Sequence, residues 1–303
     1  MSPAPYHEEV LLDLEKYFAE KSALVNKELK RLVPGEHEYP ESLHRAMHYS
    51  LFAGGKRIRP ALALASSEAI GKGIERALNA ACAIECVHSY SLIHDDLPAL
   101  DNDDMRRGRP SCHKAFGEAT AILAGDALLT AAFEMLGRSN APASLVVKAV
   151  QELGRAAGSL GMVGGQAVDL ESEGKEIPFP TLEYIHIHKT GRLILASVRC
   201  GAILSGANEG ELKALTAYGE AAGLAFQIAD DILDVEGLSS ETGKNAGGDK
   251  LKGKATYPGL VGISEAKKRA SELAQRAVDA LSGFDQKAGP LRDIAIYIVS
   301  RRK

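Results

Sequence analysis

Residues 7–35 read HEEVLLDLEKYFAEKSALVNKELKRLVPG, and their pattern decides the fold class. Val10, Leu11, Leu14, Phe18 and Leu24 recur at helical spacing among charged residues, and Pro34–Gly35 ends the run. The same alternation of long helical patterns and brief Gly/Pro breaks continues along the chain. Helices are predicted over 41–53, 60–70, 74–97, 117–137, 142–158, 181–205, 210–235, 265–282 and 290–300. Alternating β-branched runs, the mark of strands, are nearly absent. Ala, Leu, Gly and Glu dominate, aromatics are 5% and Trp is missing, a bias toward helix. The expectation is an all-α protein, with residues 1–303 forming one domain because no linker separates two cores. Two stretches depart from the helical pattern. Residues 171–180 are polar with two prolines, and residues 236–258 are rich in glycine and lysine, as binding loops or lids often are.

A hydrophobic share of 45% beside 25% charged residues excludes disorder as the default. A net charge of −4 argues against non-specific nucleic-acid binding. The N-terminal residues are acidic where a signal peptide is basic and apolar, so a cytoplasmic protein is expected, with Cys82, Cys86, Cys112 and Cys200 reduced. No membrane span is expected, since even the apolar run 121–137 is broken by Asp126 and Glu134.

The chemistry concentrates in HSYSLIHDDLPALDNDDMRRGRP, residues 88–110. Asp95 and Asp96 close a helical pattern that Pro98 breaks, and Asp101 follows in the turn. Carboxylates crowded at a helix C-terminus meet its partial negative charge, and a divalent cation offsets the repulsion. Magnesium suits such a place, because it takes few protein carboxylates and shares its remaining positions with water and substrate phosphates. A second cluster lies in FQIADDILD, where Gln227, Asp230, Asp231 and Asp234 share one helix face within an apolar stretch. Basic groups accompany both: Lys56, Arg57 and Arg59 in GGKRIRP, Arg106 and Arg107, Lys189 beside Thr190, and Lys244, Lys250 and Lys254. Arg and Lys in such numbers beside paired acids point to a phosphate-rich substrate. His88 lies two helical turns before Asp95 on the same face. Zinc is disfavoured, as Cys82, Cys86 and His88 lack a fourth ligand at usable spacing.

At these residues the sequence resembles the trans-isoprenyl diphosphate synthases, most closely those of the bacterial farnesyl type. GGKRIRP, DDLPALD followed by RRG, GGQ at 164–166, KTG at 189–191, DDILD and GKATYP all occur in that family's order, over nearly the whole chain. The resemblance implies antiparallel helices around a deep central cavity, a homodimer, and magnesium, three ions per site. It implies that Asp95 and Asp101, with Asp96 in support, and Asp230, Asp231 and Asp234 hold the metal. It assigns Lys56, Arg59, His88 and Arg107 to isopentenyl diphosphate, with Arg301 of the tail closing over it. Arg106, Lys189, Lys244 and Lys254 fall around the allylic diphosphate, and Thr190 and Gln227 face the C–O bond that cleaves. Tyr90 and Ser91 fall at chain-length positions, Tyr90 as a floor that limits the product to fifteen carbons. The rival reading of Tyr90 is ordinary core packing, with a ten- or twenty-carbon product. A class I terpene cyclase is disfavoured, because a cyclase has no use for a second diphosphate site. A silent regulatory subunit is disfavoured by the intact acidic motifs.

Overall fold

The computed structural model describes residues 6–237 and 254–301, with side chains from residue 14 onward. Lys244 and Lys250 lie outside these residues. The helices are α1 (Tyr6–Leu32), α2 (Glu41–Leu51), α3 (Ile58–Ala69), α4 (Glu75–Asp95), α5 (Cys112–Phe116), α6 (Glu118–Gly137), α7 (Ala143–Ala157) and α8 (Met162–Ser172). They continue with α9 (Phe179–Ile185), a π-helical turn His186–Gly191, α10 (Arg192–Leu204), α11 (Glu209–Glu236), α12 (Tyr257–Val261), α13 (Ile263–Ala280) and α14 (Gly289–Ser300). The protein is all-α; the strands among the described residues are β1 (Met105–Arg106) and β2 (Arg109–Pro110), a two-residue antiparallel hairpin.

Helices α3 and α10 form the spine. Nearly every residue of both is buried, as expected of helices apolar on all faces. Ala63 and Leu64 of α3, with Leu193, Cys200 and Leu204 of α10, face a core shared with α4, α6 and α7. Ala61, Leu62 and Ala65 of α3, with Ile194, Val198 and Ala202 of α10, face a second core shared with α11, α13 and α14. The two spine helices touch backbone to backbone at Gly201, where a Cβ would lie 2.0 Å from the Ala63 carbonyl oxygen.

Helices α4 and α11 carry the acidic motifs and pack on opposite sides of this spine. A full capping box, Asn208 with Glu211, starts α11. Helix α6 packs chiefly along α4. It is long and apolar enough to cross a membrane by length and composition, a test that core helices also pass. Asp126 and Glu134 had argued against such a run on sequence.

Candidate active site

The turn between α2 and α3 shows how local conformation places the first basic group. Gly54, Gly55 and Arg57 all take positive φ (90°, 107° and 52°). At Gly55 a Cβ would meet the Arg107 guanidinium at 2.9 Å, so only glycine lets Arg107 lie across the turn. There Arg107 donates to the Gly54 carbonyl. Arg57, expected from its neighbours to be a phosphate contact, turns inward instead. It is buried, ion-paired with buried Glu85, and donates to Asn26 Oδ1 (3.1 Å) and the Leu51 carbonyl (2.5 Å). The pair anchors the turn, while Lys56 and Arg59 on either side point elsewhere. Lys56 donates to the Tyr297 hydroxyl (2.5 Å), and Arg59 approaches His88 Nε2 (3.5 Å).

Glu85, His88 and Asp95 recur on one face of α4. Burial, then Arg59 and Arg107, holds the His88 imidazole well below its ordinary pKa. Burial likewise lowers Arg59 and Arg107, against the pull of Glu85. Arg59 Nε is buried without a hydrogen-bond partner. Half-buried Arg59, with a donor left over, and the neighbouring exposed Arg107 fit an anion.

The other cations sit on acids. Asp95 ends α4, and its carbonyl accepts from the Asp101 backbone N–H (2.8 Å), which folds the first motif back on itself. Burial and the neighbours Asp101 and Asp96 push the Asp95 carboxyl up to about 6, although Lys189 opposes them. Asp96 is buried and gripped by Arg106, whose Nε donates to Oδ1 (3.0 Å) and Oδ2 (3.2 Å). Arg106, expected at the allylic diphosphate, therefore braces the first motif in this structure. Lys254 reaches Asp101 (2.8 Å), Asp169 (3.4 Å) and Glu173 (3.5 Å), while Lys189 reaches Asp169 (2.6 Å). Burial opposes the Lys254 charge, but these three carboxylates outweigh it and hold the ammonium above its ordinary pKa. On α11, Arg301 lies over the Phe226 ring (4.2 Å) and pairs with Asp230 (2.5 Å). Asp234 is half-buried one turn further on.

Asp231 departs from the metal-ligand expectation. Its side chain is buried, Oδ1 accepts from Gln227 Nε2 (2.9 Å), and Oδ2 accepts from the Tyr257 backbone N–H (2.7 Å) and faces His186 Nε2 (3.1 Å). Gln227 in turn accepts from the Thr190 hydroxyl (2.6 Å). Lys189 and Thr190 sit on the π turn, a geometry that often marks functional sites. Two glycines let other helices close on that turn. A Cβ at Gly165 of α8 would lie 2.2 Å from the Lys189 nitrogen, and one at Gly223 of α11 would lie 3.0 Å from Gly191 Cα. Gly165 is the centre of the GGQ motif, which had no role on sequence alone.

Among the described residues, no three carboxylates, imidazoles or thiols converge to hold a metal unaided. Asp95, Asp101 and Asp230 still fit magnesium, since that ion takes one or two carboxylates and completes its shell with substrate phosphates. The first motif folds back so that Asp101 donates its backbone N–H to the Asp95 carbonyl, and the Asp95 carboxyl, raised by burial and then by Asp101 and Asp96, suits a cation beside it. Tyr90 is buried against α6 neighbours in the core, with its ring edge-on to His94 (5.6 Å, 80°). Ser91 donates to the His88 carbonyl (2.8 Å). Asp169, His186 and Glu85 complete the site and were missed on sequence. Asp169 alone gave a signal, as an acid four residues after Gly165, just past the GGQ motif.

A helical fold whose site pairs two acidic motifs with two groups of cations defines an enzyme acting on diphosphates. The chain belongs to the polyprenyl synthetase family, whose pattern matches residues 40–287. It is 48% identical over 293 residues to farnesyl diphosphate synthase of Geobacillus stearothermophilus, covering 96% of this chain and 98% of that protein. It is 48% identical over 289 residues to a chloroplastic geranylgeranyl pyrophosphate synthase of Capsicum annuum, covering 94% and 78%. The crystal structure of geranylgeranyl pyrophosphate synthetase from Pyrococcus horikoshii superposes with a TM-score of 0.87 at 32% identity, covering 98% and 99%. The chain is a prenyltransferase of this family.

Proposed function

We propose that the protein condenses isopentenyl diphosphate with dimethylallyl and geranyl diphosphates, in a magnesium-dependent reaction, to give farnesyl diphosphate. The observation that carries this reading is the presence of two unlike cation groups. Lys189 and Lys254 are interleaved with Asp101, Asp169 and Asp95, which suits a diphosphate bound together with metal. Arg59 approaches His88 and Arg107 lies across the turn of Gly54 and Gly55, with no carboxylate hydrogen-bonded to them among the described residues, which suits a diphosphate bound by guanidinium groups and an imidazole without metal. A cyclase needs only the first.

Magnesium bound by Asp95, Asp101 and Asp230 would supply the positive charge that makes a diphosphate a good leaving group. Lys254 would release Asp101 to the metal, and Lys189 and Lys254 would donate to the departing phosphate oxygens. Thr190 and Gln227, locked together, would line the C–O bond as it breaks. Lys56, Arg59, His88 and Arg107 would hold the second diphosphate so that its double bond meets the allylic carbon, with Arg301 closing the site. Among the described residues no base stands out for the final proton, which the cleaved diphosphate would accept.

Tyr90 supports the fifteen-carbon product. It lies five residues before Asp95, about 7 Å down α4 at about 1.5 Å per residue, and its buried ring would close the cavity there. The enzyme would act in the cytoplasm as a single-domain homodimer. Ile122 and Leu123 leave an apolar patch exposed on α6 that a second copy would cover. Incubation with both substrates, with and without magnesium, tests the reading: a farnesyl product that vanishes with chelator is expected. No product from folded protein would sink it, and a twenty-carbon product would sink the Tyr90 floor.

A further inference from the structure

The acid that leaves the metal site opens a further role. Asp231 neighbours Asp230 in the sequence, yet the two carboxylates serve different partners. Asp230 faces Arg301 (2.5 Å), whereas Asp231 is buried among three donors. A carboxylate is an acceptor only, so it fixes the orientation of every group that donates to it. Gln227 must turn its NH2 toward Asp231 Oδ1 (2.9 Å), because the flipped amide would set its carbonyl oxygen against the carboxylate. The Gln227 carbonyl oxygen is thereby aimed at Thr190, whose hydroxyl donates to it (2.6 Å). The one Thr190 proton is committed, so Oγ1 offers only lone pairs to whatever lies beside it.

What holds Asp231 still is the Tyr257 backbone N–H and the His186 ring. His186 is 4% exposed, stands at the start of the π turn, and stacks against Tyr257 (ring centroids 6.1 Å apart, 22° between planes). Its Nε2 faces Asp231 Oδ2 at 3.1 Å, and its buried Nδ1 has no partner among the described residues. Among those residues the ring is seated by one hydrogen bond, to Asp231.

We propose that His186 is a positioning residue for the prenyl transfer, acting through Asp231 and Gln227 to fix the orientation of the Thr190 hydroxyl. The chain His186–Asp231–Gln227–Thr190 begins and ends on the same π turn, so it sets the turn's own geometry against α11. It also ties the turn to Tyr257, three residues after Lys254, so both lysines of the metal-bearing group share one frame. The inference rests on the reading above that Thr190 faces the breaking bond.

The test compares full-length wild type with H186L, H186Q, H186N, T190A and the double variant H186L/T190A. Readouts are kcat, KM for both diphosphates and Tm. Gln places its amide nitrogen near the position of Nε2, and Asn near that of Nδ1. Loss of a hydrogen bond to a carboxylate predicts that H186L and H186N lower kcat about ten- to a hundredfold, with both KM values within about threefold. H186Q should recover kcat to within about threefold of wild type. In the T190A background, H186L should change kcat by less than about threefold, because the chain is already cut. Equal kcat for H186Q and H186N, or additive losses in the double variant, would overturn the proposal. Should H186L fail to fold, the Gln/Asn pair decides alone. A wild type without prenyl product would overturn the proposed function itself. A T190A variant with unchanged kcat would remove Thr190 from the reaction and this role of His186 with it.

Discussion

Gly165→Ala is a sharp structural perturbation of the site that alters the chemistry of no functional side chain. The new methyl would lie 2.2 Å from the Lys189 nitrogen, 2.7 Å from its Cα and 2.8 Å from the His188 carbonyl carbon. All three are backbone atoms, so no side chain can swing aside. Ordinary contact begins at about 3.4 Å, so α8 and the π turn must separate by about 1.2 Å (3.4 − 2.2). Overpacking of this kind costs about 1–3 kcal/mol, or a fall in Tm of roughly 2–5 °C for a chain of this size. Lys189 and Thr190 ride on the turn, and a 1 Å misplacement at a reacting centre costs about a hundredfold in rate. The variant should therefore lose about two orders of magnitude in kcat with only a modest loss of stability. Thermal unfolding and steady-state product formation measure both. Gly137→Ala is the control: its added methyl meets nothing within 4 Å at the exposed end of α6, and it should match wild type. A Gly165→Ala enzyme within about threefold of wild type in kcat would refute the clamp.

Glu85→Leu leaves the buried Arg57 guanidinium without its carboxylate, a loss of about 3–5 kcal/mol by chemical denaturation. It should also raise KM for isopentenyl diphosphate, because the Arg57 anchor sets Lys56 and Arg59; an unchanged KM would show that the turn holds itself. Tyr90→Ala should lengthen the product, read by chromatography, and an unchanged profile would make Tyr90 simple core. Asp95 predicts a pH dependence. Its folded carboxyl is raised by burial to about 6 against an ordinary 3.8, so the metal-free protein keeps a proton that the unfolded chain has lost. That part of the stability is complete below about pH 4 and is lost as pH rises through 6. Magnesium binds the ionised form, so the gain in Tm on adding it should grow from pH 5 to pH 8 and flatten in Asp95→Asn; an equal gain at both pH values would contradict the assignment.

The helices were legible because their apolar spacing is regular, and the predicted spans match to within two or three residues for α2, α3, α4, α6, α7, α11, α13 and α14, while the five-residue helices α5 and α12 are too short to show a period. Other features were not legible either. The span 181–205 was expected as one helix, but the π turn divides it, since an inserted residue leaves the apolar period nearly intact. Helix α8 was passed over because its GG pair reads as a break, whereas Gly165 serves a close helix contact. The hairpin is too short to show alternation. Within the site, acids and bases were visible as types, but their pairing was not. Arg57 and Arg59 look alike in GGKRIRP, yet positive φ at Arg57 turns it into the core toward Glu85. Asp230 and Asp231 look alike in DDILD, yet the helix turns one to the cleft and the other to His186. Spacing gives the face of a helix; what packs against that face decides the role.

The most direct test of the central claim is product analysis of the purified protein supplied with dimethylallyl and isopentenyl diphosphates, with magnesium and then with chelator. A fifteen-carbon allylic diphosphate that forms only with magnesium is the predicted result. Folded protein that forms no longer diphosphate under either condition would contradict it.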